Sequence, residues 1–377
     1  MRPASPELSL WPSLRAALAL SALSLALVGC DGSCGGGSER AWRAAYDQLT
    51  ASLSDADVAP LDPQRYRLPR LRDRALKESA PITISARSLL ALSRCEVSRW
   101  IAQRNSPLGR VMLPSQRLLY EARFLSAAPS CQVEGEPRRA LDEAAELKRA
   151  RWRERLWDLT WRGRELSRFL SWSWPRDRLP PRPSEGERAA LRWLGSLGTW
   201  AEALKTLERE QRELKREELE ARLEPTLSSL SAYAGGRVIR EAAELESALQ
   251  RWLKRLESLE APPSCERVEA LLSAYRALQP ELSARVIALG QLSRALQGLS
   301  ELMNPSPESM RALLLDALSL KPSGLSERLK ALSKRHVTTL QTQLQRCGLS
   351  PQGSSSPSPS GLSSSPSSSP SSSPPSP

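Results

Sequence analysis

Apolar positions recur at helical spacing along most of the chain. Between Glu39 and Leu53, Trp42, Ala45, Tyr46 and Leu49 fall on one helical face. Ser85 suits an N-cap for a helix from Ala86 to about Arg104, with Leu89, Leu92, Val97, Trp100 and Ile101 inward. A second helix is predicted from Ser115 to Ala127, carrying Leu118, Leu119, Ala122 and Leu125. Arg138 to Leu170 reads as one long helical region, and Glu187 to Leu230 as another. The middle of the latter, LEREQRELKREELEARLE, has only Leu207, Leu214 and Leu219 as anchors, so an exposed arm or weak coiled coil is expected. Gly235-Gly236 reads as a break, followed by a helix from Arg237 to Leu259. Cys265 to Leu278, Glu281 to Leu302, Pro307 to Leu318 and Leu325 to Cys347 supply the remaining helices, and no fixed-period repeat is evident.

Two segments interrupt this pattern. Trp174-Pro175 ends the first long region, and Asp177 to Glu187, with Pro180, Pro181 and Pro183, is the best internal boundary. The expected organisation is an all-α multi-helix bundle, with room for two helical subdomains at 39–176 and 187–348. Residues 349–377 are Ser/Pro-rich in SSSP units and cannot bury a core, so a disordered tail is expected.

The first residues follow another logic. Arg2 and Arg15 flank a run of Ala, Leu and Ser from Ala16 to Val28, too short for a membrane span of roughly 20 residues and suited to a signal-peptide core. Its ending, Leu27-Val28-Gly29-Cys30, resembles the bacterial lipobox. That resemblance implies cleavage after residue 29 and diacylation of the Cys30 thiol, with each buried methylene adding about 0.8 kcal/mol to membrane binding. The alternative is an ordinary secretory signal in which Cys30 is incidental. Residues 30–38 then form a lipidated Gly/Ser tether. Asp31 resembles an inner-membrane retention signal, so the expected location is the periplasmic side of a bacterial envelope, leaning to the inner membrane.

Composition supports helices, because Ile, Val and Phe are scarce and a large sheet lacks its preferred residues. The net charge of +12 would suggest nucleic acid in a cytoplasmic protein. Behind a lipobox, no nucleic acid is expected, and anionic headgroups or cell-wall carboxylates are the neighbours. Six cysteines without a CxxC, and a single histidine, argue against a zinc site. No metal or other cofactor is expected. With Cys30 lipidated and Cys34 left as a free thiol, four body cysteines remain for an oxidising compartment. They allow three connectivities, and the first choice joins Cys95 to Cys131 and Cys265 to Cys347.

The densest local signal is RNSPLGRVMLPSQRLLYE, Arg104 to Glu121. Ser106-Pro107 and Leu108-Gly109 carry turn chemistry, and Ser115 after Pro114 marks a helix start. Arg104, Arg110 and Arg117 converging near that start would suit an anion. A structured hairpin loop satisfying its own backbone is the simpler expectation. Candidate residues under either reading are Arg104, Asn105, Ser106, Gly109, Ser115, Gln116, Tyr120 and Glu121. This stretch resembles the hallmark of a Gram-negative lipoprotein family known only as a domain of unknown function, number three thousand and eighty. Cys95 ahead of it, RLWDLTWRGRELSRFLS from Arg155 to Ser171, and Cys265 followed by AYRALQPELSA from Ala274 to Ala284 share the resemblance. It covers most of Glu39 to Leu302 and implies a helical envelope lipoprotein, with no activity attached.

A catalytic set is hard to assemble. His336 sits alone in LSKRHVTTL and reads as a surface residue. No GxSxG, HExxH or phosphate loop occurs. Glu78-Ser79 and Glu308-Ser309 match the dipeptide of all-α lytic transglycosylases, without the downstream Gly-Leu-Met-Gln stretch. The Arg/Trp segment, with Trp152, Trp157, Trp161, Trp172 and Trp174, fits a membrane interface or an ordinary core, and core is preferred. The expected function is a non-enzymatic envelope lipoprotein that binds a protein or cell-wall partner. The alternative is an envelope enzyme or anionic-ligand binder using Arg104 to Glu121.

Overall fold

The structure, a computed structural model, describes residues 44, 46–51, 62–77, 80–173, 182–230, 234–258, 264–302 and 306–348. The leader, Cys30, the tether, Cys34, Trp174, the proline-rich core of the internal boundary and the Ser/Pro tail lie outside them. Every regular element among the described residues is helical. A first helix, α1, covers residues 46–51. After 3-10 turns at Pro63–Tyr66 and Leu71–Arg74 come α2 (Ala86–Ala91), α3 (Glu96–Asn105), α4 (Pro107–Arg110) and α5 (Pro114–Ala127). Next are α6 (Glu136–Ala150), α7 (Trp152–Leu159), α8 (Arg164–Phe169), α9 (Glu185–Ser196) and α10 (Trp200–Ala203). The long helices α11 (Arg209–Leu230), α12 (Gly235–Glu257), α13 (Cys265–Ser300) and α14 (Leu325–Arg346) complete the body. None of these helices is long and apolar enough to cross a membrane.

Packing joins the two halves of the chain. α9 lies against α13, α12 against α14, and α11 against α5 and α9. One cluster of buried apolar residues runs from Tyr46 to Leu340 and includes Leu118, Leu191, Leu223 and Leu289. The Arg/Trp segment is part of this interior. Trp152, Trp157 and Trp161 are fully buried, and their indole N–H groups donate to the carbonyls of Leu197 (2.6 Å), Arg74 (3.0 Å) and Leu299 (2.8 Å). Buried indoles need such partners, so the tryptophans stitch distant segments together as they fill space.

Several boundaries differ from the sequence reading. The Ala86–Arg104 helix is divided: Ser85 caps α2 by accepting the Ser88 N–H at 3.0 Å, the chain tightens over Leu92–Arg94, and Cys95 is extended. Cys95 therefore lies between helices, where its thiol bonds to Cys131 just past α5, with Cα atoms 5.3 Å apart. Cys265 bonds to Cys347, with Cα atoms 5.5 Å apart, fastening the start of α13 to the end of α14. Arg138 to Leu170 is three helices, turning at Arg151 and over Thr160–Gly163.

Conversely, α13 passes through Pro280 without ending. Pro280 is exposed and removes one N–H from the helical ladder, which the 36-residue helix accommodates. A break between helices does fall here, after Leu230, and Gly235-Gly236 opens the next helix, α12. A Cβ on Gly235 would stand 2.3 Å from the Phe169 ring, and one on Gly236 2.1 Å from the Leu170 carbonyl oxygen. Only glycines permit that approach. The polar α11 is neither free arm nor coiled coil throughout: Leu214 is exposed, but Leu219, Leu223, Leu227 and Leu230 are buried against α5, α8 and α9.

The largest correction concerns His336. It is fully buried and not a surface residue. Nε2 pairs with the Tyr46 hydroxyl at 3.0 Å, and the ring stacks on Tyr275 with centroids 4.6 Å apart. Nδ1 is buried without a partner. Asp47, next to Tyr46, accepts from Trp252 Nε1 at 3.1 Å and Arg255 Nη1 at 3.0 Å, so α1 is latched onto α12 and α14. Burial lowers the His336 pKa to about 4. Above the ordinary value of 6.5 the imidazole is neutral in both folded and unfolded chains. As pH falls from 6.5 towards 4, only the unfolded chain takes up the proton, and stability declines by about 3 kcal/mol in total. Chemical denaturation across that window should show this acid limb in the wild type and a flatter one in His336→Phe. Superimposable pH profiles would contradict it.

Candidate functional site

The Arg104–Glu121 segment is built around its own turn. Ser106 accepts the Gly109 N–H at 3.1 Å and donates to the Gln103 carbonyl at 2.7 Å, capping the single turn of α4, where Pro107 occupies the first position. Arg104 Nη1 donates to the Gly109 carbonyl. A Cβ at Gly109 would lie 2.2 Å from the Gln103 carbonyl oxygen, so the turn requires glycine. The start of α5 is tied by Gln116, whose Oε1 accepts the Leu113 N–H at 3.1 Å. Ser115 is buried in the first turn of α5, Asn105 is exposed, and Arg110 is exposed on α4. Arg104, Ser106, Gly109 and Gln116 thus hold the hairpin together.

Tyr120 and Glu121 face inward, and here the segment meets residues the sequence reading did not select. Lys148 from α6 donates to Glu121 Oε2 at 2.6 Å, with both side chains 9% exposed. The ammonium also lies 4.6 Å from the Tyr120 ring centroid and 4.7 Å from that of Phe124. Burial lowers the Lys148 pKa, and the Glu121 carboxylate opposes that shift. Burial raises the Tyr120 pKa, with Glu121 adding to it and Arg104 opposing.

Arg117, half-buried on α5, is held among like charges. Burial first, then Arg155 and Arg104, lower its pKa, while Asp158 and Glu121 oppose. Arg155 is 3.7 Å from Asp158, which also accepts from Arg162 at 2.7 Å. Around Arg117 the cations Arg104 and Arg155 lie with the carboxylates Glu121 and Asp158, which also pair with Lys148 and Arg162. Such a group of cations favours an anion at the surface of the cluster. Of the three arginines expected to converge, Arg104 is among the charges that lower the Arg117 pKa, and Arg110 is exposed on α4.

Glu308 of the Glu308-Ser309 dipeptide is exposed and pairs with Arg311 at 3.2 Å. Its neighbour Ser309 donates to the Asp73 carbonyl. Glu78 and Ser79 lie outside the described residues. No group of three His, Cys, Asp or Glu side chains suited to a metal occurs among the described residues.

A family model described as protein of unknown function (DUF3080) matches residues 46–351. No curated protein and no solved structure matches the chain.

Proposed function

Since the chain belongs to this family of unknown function, which brings no activity with it, we propose from the residues themselves that it is a non-enzymatic binding module held in the bacterial envelope by a lipid on Cys30. The single observation that carries the reading is the pair of disulfides. Both close with Cα atoms 5.3 and 5.5 Å apart, and such bridges persist in oxidising compartments outside the cytoplasm. Upstream, Leu27-Val28-Gly29-Cys30 provides the acylation signal, and Asp31 favours retention at the inner membrane, periplasmic side. The partner on this reading is an envelope protein or a cell-wall component. The Arg104–Glu121 side chains support binding over catalysis, because Ser106, Gln116 and Glu121 are already engaged in internal hydrogen bonds.

A second reading, an anionic-ligand binder, is favoured by the cations surrounding Arg117. Lipidation is tested first, since both readings place the protein in the envelope. Cells fed radiolabelled palmitate should yield labelled wild-type protein in the membrane fraction. Cys30→Ser should lose the label and shift to the soluble fraction. Unlabelled wild-type protein, or a serine variant that partitions unchanged, would overturn the anchor.

A further inference from the structure

A cavity of about 300 Å³ lies between α9–α10 and the first half of α11. That is the lower end of the range for small-ligand pockets, about 300 Å³ and upward. It is remote in sequence from Arg104–Glu121 and independent of the lipid anchor. Trp193, Ser196, Thr199, Trp200, Lys215 and Glu218 form the part of its wall that has chemistry.

The aromatic part is fixed in place. Trp200 is stacked on Trp152, with centroids 4.8 Å apart and planes 18° from parallel. The Arg222 guanidinium lies 4.7 Å from the Trp193 ring centroid and also donates to Glu218 at 2.6 Å. The polar part has a definite polarity. Ser196 gives its hydroxyl hydrogen to the Trp193 carbonyl at 2.8 Å, and Thr199 gives its own to the Ser196 carbonyl at 3.3 Å. With their hydrogens so placed both hydroxyls turn lone pairs to a ligand, and either can rotate to donate instead. The carboxylate of Glu218 is likewise an acceptor. Lys215 supplies the positive charge of the wall. The neighbouring carboxylates Glu213, Glu217, Glu218 and Glu220 are each paired with an arginine, leaving Lys215 without an ion-pair partner among the described residues.

A ligand matching these walls donates several hydrogen bonds, accepts at one charged point, and has apolar surface to lay on indole. We propose that the cavity binds a single acidic sugar, a pyranose-sized ring bearing hydroxyls and one carboxylate. The hydroxyls donate to Ser196, Thr199 and Glu218, the carboxylate accepts from Lys215, and the C–H groups of the ring pack on Trp193, because Trp200 is 5% exposed and already stacked on Trp152. A flat hydrocarbon of the same size would leave the acceptors and the ammonium unmatched.

The test uses the full chain in detergent, titrated with glucuronic acid and followed by tryptophan fluorescence and ligand-detected NMR. Saturable binding is expected, with glucose at least about tenfold weaker because it lacks the carboxylate. Lys215→Met should weaken glucuronic acid by at least about tenfold at an unchanged thermal midpoint, and Trp193→Phe should remove most of the fluorescence change. If Lys215→Met fails to fold, Lys215→Gln provides the same comparison. Absence of saturable binding overturns the proposal, as does equal affinity for glucose or tighter binding of free glutamate. Loss in Arg117→Gln with retention in Lys215→Met also overturns it, and moves the anion to the Arg117 cluster. None of these outcomes depends on whether Cys30 is acylated.

Discussion

Replacing Cys265 and Cys347 together with alanine is expected to remove about 4.5 kcal/mol of stability, the largest loss foreseen for any change in this protein. The bridge spans 82 residues of chain, and closing so long a loop restricts the unfolded ensemble strongly. It also fastens the first residue of α13 to the residue after α14, two helices that pack along each other. The Cys95–Cys131 bridge spans 36 residues, and its loss should cost less, about 4 kcal/mol. Equilibrium urea unfolding of each double-alanine variant, under non-reducing conditions, measures both. A loss below about 1.5 kcal/mol for the longer loop would show that the unfolded chain gains little freedom when the bridge is absent.

Lys148→Ala is the second large effect. It leaves the Glu121 carboxylate, 9% exposed, without its ammonium. Breaking one side of a buried pair costs about 3–5 kcal/mol. The nearby charges of Arg104 and Arg117 put this case at the lower end, about 3 kcal/mol. Removing both charges, as Lys148→Met with Glu121→Leu, should recover most of the loss, because the Tyr120 and Phe124 rings already give the site an apolar lining. Thermal and urea unfolding of the single and double variants form the required cycle. A double variant no more stable than Lys148→Ala would show that the pair fixes the geometry of α5 against α6 and does not merely neutralise itself.

The sequence shows the helical class clearly, and both disulfides follow the within-half pairing chosen from it. Trp152, Trp157 and Trp161 read correctly as interior residues, because Leu156, Leu159, Leu166 and Phe169 extend the same stripe. What failed was local punctuation. Pro280 looks like a stop, but an exposed proline removes only one N–H from a long helix, which continues through it. Gly235-Gly236 marks the break after α11 as expected, but it lies inside the first turn of α12, where its lack of side chains serves contact with Phe169 and Leu170. His336 was missed because Lys334, Arg335, Thr338 and Thr339 surround it in sequence. The stripe Leu329, His336, Leu340 and Leu344 does place it on the buried face. Around Glu121, the hairpin residues are contiguous and legible, but Lys148, Arg155 and Asp158 arrive from later helices. Which faces of two helices meet is a property of packing, and periodicity within one helix does not encode it.

The latch of Tyr46 and Asp47 onto α12 and α14 has a mechanical consequence. The sixteen steps of chain from Cys30 to Tyr46 set an upper bound of about 55 Å on the distance between them. With acyl chains on Cys30, the whole body would patrol a shallow zone above the bilayer. Any drag on it would be borne by α1 before any other helix, with Asp47 and the buried imidazole as the points that must yield first.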